Sequence, residues 1–215
     1  MSSIVIIDYG MGNLHSAAKA VARAVDKATV SISNDPAEIK KADRVVFPGV
    51  GAMRDCMKGL HEFELVQTIN QVAKEKPFLA ICVGMQALMT KSEENNGVQC
   101  LDMFPGSVKF FGNGLSDIGS GERLKIPHMG WNQVNQTQNH PLWNNIENNS
   151  RFYFVHSYYV VPEKKQLISG STEYGLQFAA SIARENVFAV QFHPEKSHKA
   201  GLTLLSNFAL WNGEV

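Results

Sequence analysis

Cysteine is scarce in this chain, neither sign of charge dominates, and no apolar run approaches the length of a membrane span. The three cysteines, Cys56, Cys82 and Cys100, stand at irregular spacings with no C-x-x-C pair, too few for a disulfide framework or a zinc cluster. A reducing cytoplasm is therefore the expected setting. Lysine plus arginine number 20, as do aspartate plus glutamate, so no long-range field favours nucleic acid or an anionic membrane. Met1 to Asp8 carries no basic region, long apolar stretch or small-residue cleavage site, and export is not expected. No later stretch reaches the roughly 20 apolar residues of a spanning helix. Nothing marks a metal or an organic cofactor, and none is expected.

What is present suits one compact domain over residues 1–215, with 44% hydrophobic residues to build its core. Ile4 to Ile7 reads as a strand and about Asn13 to Val25 as an amphipathic helix. Thr29 to Ile32 reads as a second strand, Asp35-Pro36-Ala37-Glu38 as a helix start and Arg44 to Phe47 as a third strand. After a Pro48-Gly49-Val50-Gly51 loop come two helical stretches to Lys74, a buried strand from Pro77 to Ile81 and a helix from about Val83 to Met89. This alternation predicts an α/β fold with a mostly parallel sheet and helices on both faces.

Beyond Val108 the texture changes. Phe152 to Val155, Tyr158 to Val161, Leu167 to Ser171, Phe178 to Ile182 and Val187 to Phe192 are closely spaced strand candidates, expected as antiparallel additions to the sheet. Gly112 to Gly121 and the asparagine-rich Asn135 to Asn149 are expected as exposed loops. Ser197 is placed to cap a last helix through Leu202, Leu205, Phe208 and Trp211.

Phe78-Leu79-Ala80-Ile81-Cys82-Val83-Gly84-Met85-Gln86 sets a cysteine between a buried strand and a helix, with small residues two positions to either side. That is the spacing of a nucleophile elbow, where the strained turn tolerates only small neighbours and the adjoining helix N-terminus favours a thiolate. Free cysteine is also among the most buried residue types, the reading adopted for Cys56 and Cys100. A base is needed, and Gln191-Phe192-His193-Pro194-Glu195 offers one. On an extended chain His193 and Glu195 face the same way, and Pro194 would hold it extended. A cysteine, a histidine and a carboxylate together supply a nucleophile, a proton carrier and a group that orients the imidazole. A surface ion pair at a strand end has the same pattern. Among the other histidines, His156 ranks second as base and His128 lies in a motif-like stretch, whereas His15, His61, His140 and His198 are expected at the surface.

Together, Cys82-Val83-Gly84-Met85-Gln86 and His193-Pro194-Glu195 resemble the class I glutamine amidotransferases, whose triad stands on a flavodoxin-like sheet. Asp8 to Leu14, Phe47 to Gly51, His128 to Asn132, Phe154 to Tyr158 and Gln191 to Ser197 are similar to the glutaminase subunits of imidazole glycerol phosphate synthases. The resemblance runs nearly the whole length of the chain. Ala80 departs from it, since the family's elbow usually has glycine there. A stand-alone hydrolase on a similar sheet would resemble relatives with histidine directly after the cysteine, where this chain has Val83. A non-catalytic module is disfavoured by the intact Cys82, His193 and Glu195.

The resemblance implies that Cys82 attacks the amide of glutamine, that His193 protonates the departing ammonia, and that water then cleaves a γ-glutamyl thioester. It assigns oxyanion donors to Val83 and to the Val50 and Gly51 loop, with a Val50 peptide that rotates when a partner binds. It assigns glutamine binding to Gly49, Gln86, Glu94, Ser157 and Tyr158. The implied partner is a (β/α)8-barrel cyclase subunit that receives the ammonia in histidine biosynthesis, docked on Asn13, Trp131, Asn132 and Lys196. Trp131 could equally be core. A glutaminase serving another synthase, such as a sugar amidotransferase of surface polysaccharide synthesis, remains open on the motifs alone.

Overall fold

A computed structural model describes residues 2–25 and 28–214; Met1, Asp26, Lys27 and Val215 lie outside the described residues. The first half runs β1 (Ser2–Ile7), α1 (Leu14–Ala24), β2 (Ala28–Ser33), α2 (Pro36–Lys41), β3 (Arg44–Gly49), α3 (Met53–Glu62), α4 (Val66–Glu75), β4 (Phe78–Cys82) and α5 (Val83–Ala87). Each strand was expected within a residue or two. Asp35 caps α2, its carboxylate accepting the Ala37 amide at 2.8 Å with Pro36 in the first turn.

The second half continues with β5 (Met89–Ser92), β6 (Val98–Gln99), β7 (Phe104–Phe110), β8 (His128–Gln133), β9 (Asn135–Gln136), β10 (Arg151–His156), β11 (Tyr158–Pro162), β12 (Ile168–Glu173), β13 (Gln177–Arg184), β14 (Val187–Val190) and α6 (His198–Leu210). The main sheet has the order β2-β1-β3-β4-β14-β13-β12-β9. It is parallel from β2 through β14 and antiparallel from β13 to β9. Every residue of β4 and β14 is buried, which is why both read as unbroken apolar runs.

Several expectations need correction. The strands at Phe152 to Val155 and Tyr158 to Val161 do not join the main sheet: β10 pairs with β8, and β11 with β7 in a separate sheet of order β11-β7-β5-β6. The helix after Cys82 ends at Ala87, because the carbonyls of Ala87 and Leu88 accept the amides of Leu101, Met103 and Phe104 instead of continuing the helix. Residues 135–149 are not simply an exposed loop. His140, Leu142, Trp143 and Ile146 are buried there, and the Trp143 indole donates to Ser169 Oγ at 2.9 Å. His140 is thus no surface residue; its ring centroid lies 4.5 Å from that of Phe188 and 5.0 Å from that of Trp211. Among the described residues no helix is long and apolar enough to cross a membrane.

Candidate active site

Cys82 closes β4 and holds the N-cap position of α5 at φ 56°, ψ −113°, a conformation that costs an L-residue about 1–3 kcal/mol. The packing around the turn enforces it. A Cβ added to Gly84 would lie 2.2 Å from the Phe47 carbonyl oxygen, and one on Gly49 would lie 2.6 Å from the Gly84 nitrogen. β3 and α5 therefore approach as closely as backbones allow, with Gly49 directly beside Cys82 in the sheet register. Ala80 is fully buried opposite Phe47 and Ala189, so the methyl group that departs from the family pattern is accommodated in the core. As N-cap, Cys82 makes no side-chain bond to the helix, which leaves the Val83 amide among those without an intrahelical partner.

The His193 imidazole Nδ1 meets Glu195 Oε1 at 2.7 Å with both side chains buried. The route differs from the expected one. β14 stops at Val190, and Pro194–Lys196 form a 3-10 turn rather than an extended segment, with Pro194 in its first position. The carboxylate reaches back to the ring across this turn. Burial works to lower the His193 pKa, but the charges of Cys82 and Glu195 outweigh it and raise the value to about 10. His193 Nε2 has no hydrogen-bond partner, nor has Glu195 Oε2.

A cavity of about 300 Å³ opens at this point, lined by Val50, Gly51, Cys82, Val83, Gln86, Glu94, Pro127, Val155, His156, Ser157, Tyr158, His193 and Lys196. Eleven positions singled out in the sequence thus converge on one space: Cys82, His193, Val50, Gly51, Val83, Gln86, Glu94, His156, Ser157, Tyr158 and Lys196. Gly49, Glu195 and Asn13 instead line a narrow gap behind Val50 and His193. Trp131 and Asn132 line neither. Trp131 is 41% exposed and stacks on His198 at 4.9 Å, which settles it as surface rather than core. Asn13 caps α1, and Lys196 Nζ lies 5.6 Å from the Tyr153 ring centroid.

Some predicted ligands already have partners. Glu94 Oε2 accepts the Met53 amide at 2.7 Å, capping α3 across the chain. Both hydrogens of the Gln86 amide are committed, to the Tyr158 carbonyl at 3.0 Å and to Gln191 Oε1 at 2.9 Å, leaving its oxygen free. His156, the second-ranked base, donates Nδ1–H to the Tyr158 carbonyl at 2.8 Å and meets His128 Nδ1 through Nε2 at 3.0 Å. Burial pushes its pKa to about 3, so it stays neutral. Cys56 is buried, as expected for core, its thiol pushed up to about 12 by desolvation.

Two residues around the site, Tyr9 and Gln191, escaped the sequence reading, and Ser197, expected only as a helix cap, has a different role. Tyr9, fully buried, donates its hydroxyl to the Pro48 carbonyl at 2.8 Å and so anchors the loop before Val50. Gln191 directs its amide to Cys82 Sγ at 3.7 Å. Ser197 holds the N-cap position of α6 but makes no cap bond; its hydroxyl is engaged by His193 and Tyr153 instead. Tyr9, Gln191 and Ser197 all sit inside segments that carry the family resemblance, yet nothing local distinguishes their roles.

Comparison with known proteins agrees with this geometry. Residues 5–211 match the family described as glutamine amidotransferase class-I. The chain is 58% identical over 213 residues to imidazole glycerol phosphate synthase subunit HisH of Acinetobacter baylyi, covering 99% of this chain and 100% of that protein. It is 54% identical to imidazole glycerol phosphate synthase subunit HisH 1 of Pseudomonas aeruginosa, covering 99% of each. Among solved structures, PurLQS from Thermotoga maritima shares the fold at a TM-score of 0.68 and 16% identity, over 96% of this chain and 97% of that one. A buried cysteine elbow on a parallel sheet, with a histidine and glutamate beside it, defines a class-I glutamine amidotransferase, and the chain belongs to that family. Within the family it groups with the HisH subunits of imidazole glycerol phosphate synthase.

Proposed function

We propose that this chain hydrolyses glutamine with Cys82, His193 and Glu195 and passes the ammonia to a (β/α)8-barrel cyclase subunit, which forms imidazole glycerol phosphate in histidine biosynthesis. The observation that carries the reading is the meeting of a strained Cys82 and a Glu195-bound His193 on one cavity.

The Cys82 sulfur adds to the glutamine carboxamide carbon, and the charge that develops on the oxygen is met by the Val83 amide and a second donor from the Val50 and Gly51 loop. His193, held protonated by its neighbours, gives its proton to the leaving nitrogen as the C–N bond breaks. Ammonia departs, a thioester remains, and His193 then takes a proton from the water that cleaves it. Glu195 keeps the ring oriented throughout. Gln86, Glu94, Ser157 and Tyr158 hold the amino-acid end of glutamine, with backbone from Gly49. Because free ammonia in neutral water is mostly protonated and no longer nucleophilic, direct transfer to a docked synthase preserves its reactivity. Asn13, Trp131, Asn132 and Lys196 form the docking face. The two relatives named above favour the imidazole glycerol phosphate synthase partner over a sugar-modifying synthase.

The test is glutamate release from glutamine by the parent chain and by Cys82→Ser, each with and without the barrel cyclase and its nucleotide ligand. Stimulation by the cyclase that disappears in the variant is the expected result. Hydrolysis indifferent to this cyclase would refute the partner, and no hydrolysis under any condition would refute the reaction.

A further inference from the structure

We infer that Gln191 is the hydrogen-bond donor that orients and stabilises the reacting sulfur of Cys82, and that its amide is forced into that role by a relay anchored on the Tyr158 carbonyl.

Gln191 follows the last residue of β14, and Val190 is beside Ile81 in the parallel register with β4. The next residue of each strand is therefore Gln191 on one side and Cys82 on the other. The Gln191 side chain is completely buried, and its backbone amide is held by the Ala180 carbonyl at 2.8 Å, so it has little freedom to turn elsewhere.

The orientation of its amide follows from donor and acceptor counting. The Tyr158 carbonyl oxygen can only accept, and both groups facing it, His156 Nδ1 at 2.8 Å and Gln86 at 3.0 Å, must donate. Gln86 therefore presents its NH2 group there, and its second hydrogen is directed at Gln191, 2.9 Å away. Gln191 must answer with its oxygen, since the reverse orientation would set two NH2 groups against each other. That places the Gln191 NH2 group 3.7 Å from Cys82 Sγ. The same logic extends outward: with His156 Nδ1–H committed, its Nε2 accepts from His128 Nδ1 at 3.0 Å, and His128 Nε2 accepts from Asn132 at 3.3 Å. Every member of the relay has one permitted orientation.

A donor directed at sulfur in a buried site lowers the energy of the thiolate more than that of the thiol. Gln191 does not line the glutamine cavity; its effect falls on the nucleophile and not on substrate binding. This use of Gln191 rests on the glutaminase reading for its kinetic consequence but not for its chemical one.

The experiment is the pH profile of iodoacetamide alkylation, followed on the Cys82 peptide by mass spectrometry, in the parent, Gln191→Met and Gln191→Glu. Methionine keeps the length without a donor, and glutamate keeps the shape with an acceptor. The alkylation midpoint should rise by about one pH unit in Gln191→Met and at least as far in Gln191→Glu. With glutamine, kcat should fall roughly tenfold while KM stays within about twofold. Should neither variant fold, the parent labelled with 15N-glutamine serves: one side-chain amide should titrate with Cys82, and that titration should vanish in Cys82→Ser. An unmoved midpoint in the folded variants, or no amide that follows Cys82, overturns the inference. A shifted midpoint in a chain that never releases glutamate supports the sulfur contact and refutes the glutaminase reading instead.

Discussion

Ser197 donates its hydroxyl to the backbone carbonyl of His193 at 2.6 Å and accepts the Tyr153 amide at 3.0 Å. Because the His193 amide also donates to the Tyr153 carbonyl at 2.9 Å, the histidine is clamped to β10 on both sides of its own peptide unit. A residue that looks like a helix cap thus holds His193 in place.

Replacing Ser197 by alanine leaves the Tyr153 amide without its partner inside the protein. Ser197→Ala should lose about 1–3 kcal/mol of stability in urea unfolding and lower kcat for glutamine more than it raises KM. A stability loss with unchanged kcat would show that the clamp does not position the imidazole.

The strain at Cys82 predicts an inverse relation between stability and activity at this position. Both Cys82→Ala and Cys82→Gly remove the sulfur, but only glycine is at ease at φ 56°. Cys82→Gly should be more stable than Cys82→Ala by about 1 kcal/mol, and both should be inactive. Equal unfolding midpoints would mean that the elbow stores no strain.

Close approach of β3 and α5 makes Gly84 the least replaceable glycine of the elbow. Gly84→Ala drives a methyl group to within 2.2 Å of the Phe47 carbonyl oxygen and should cost about 3 kcal/mol or prevent folding. Gly97→Ala meets nothing within 4 Å, although Gly97 has φ 106°, and should cost only about 1 kcal/mol. Thermal unfolding of the two variants side by side tests the ranking.

Buried histidines set the pH response from both sides. Burial pushes His128 and His140 down to about 4 and His156 to about 3. An unfolded histidine binds its proton near about pH 6.5, so below that value the unfolded chain takes up more protons and stability falls with falling pH. His193 acts oppositely: burial alone would lower its pKa, but Cys82 and Glu195 raise it to about 10. Its stabilisation is complete below about pH 6.5 and is lost as pH rises through about 10. Burial of the Cys56 thiol adds to the alkaline loss only above about pH 8.5. Between about pH 6.5 and 8.5 the decline should therefore flatten in His193→Gln, as read from denaturation midpoints; an unchanged slope would contradict the assignment.

Sequence alone sufficed wherever the physics is local. The elbow was legible because a strained turn between strand and helix admits few residue types around Cys82, and the parallel half was legible because strands buried on both faces, such as β4, read as continuous apolar runs. The union of Cys82 with His193 and Glu195 was anticipated from residue chemistry and resemblance, although the pair meets through a 3-10 turn and not along an extended chain. Tertiary structure decided the rest. Alternating strands do not announce their partners, so the sheet membership of β10 and β11 depended on which edges remained to be paired. His140 is polar by type and buried by the aromatic cage that surrounds it. Gln191 takes its meaning from Gln86, 105 residues away in sequence, and from Cys82, 109 residues away, because a side-chain amide acquires a direction only when distant donors and acceptors are brought around it.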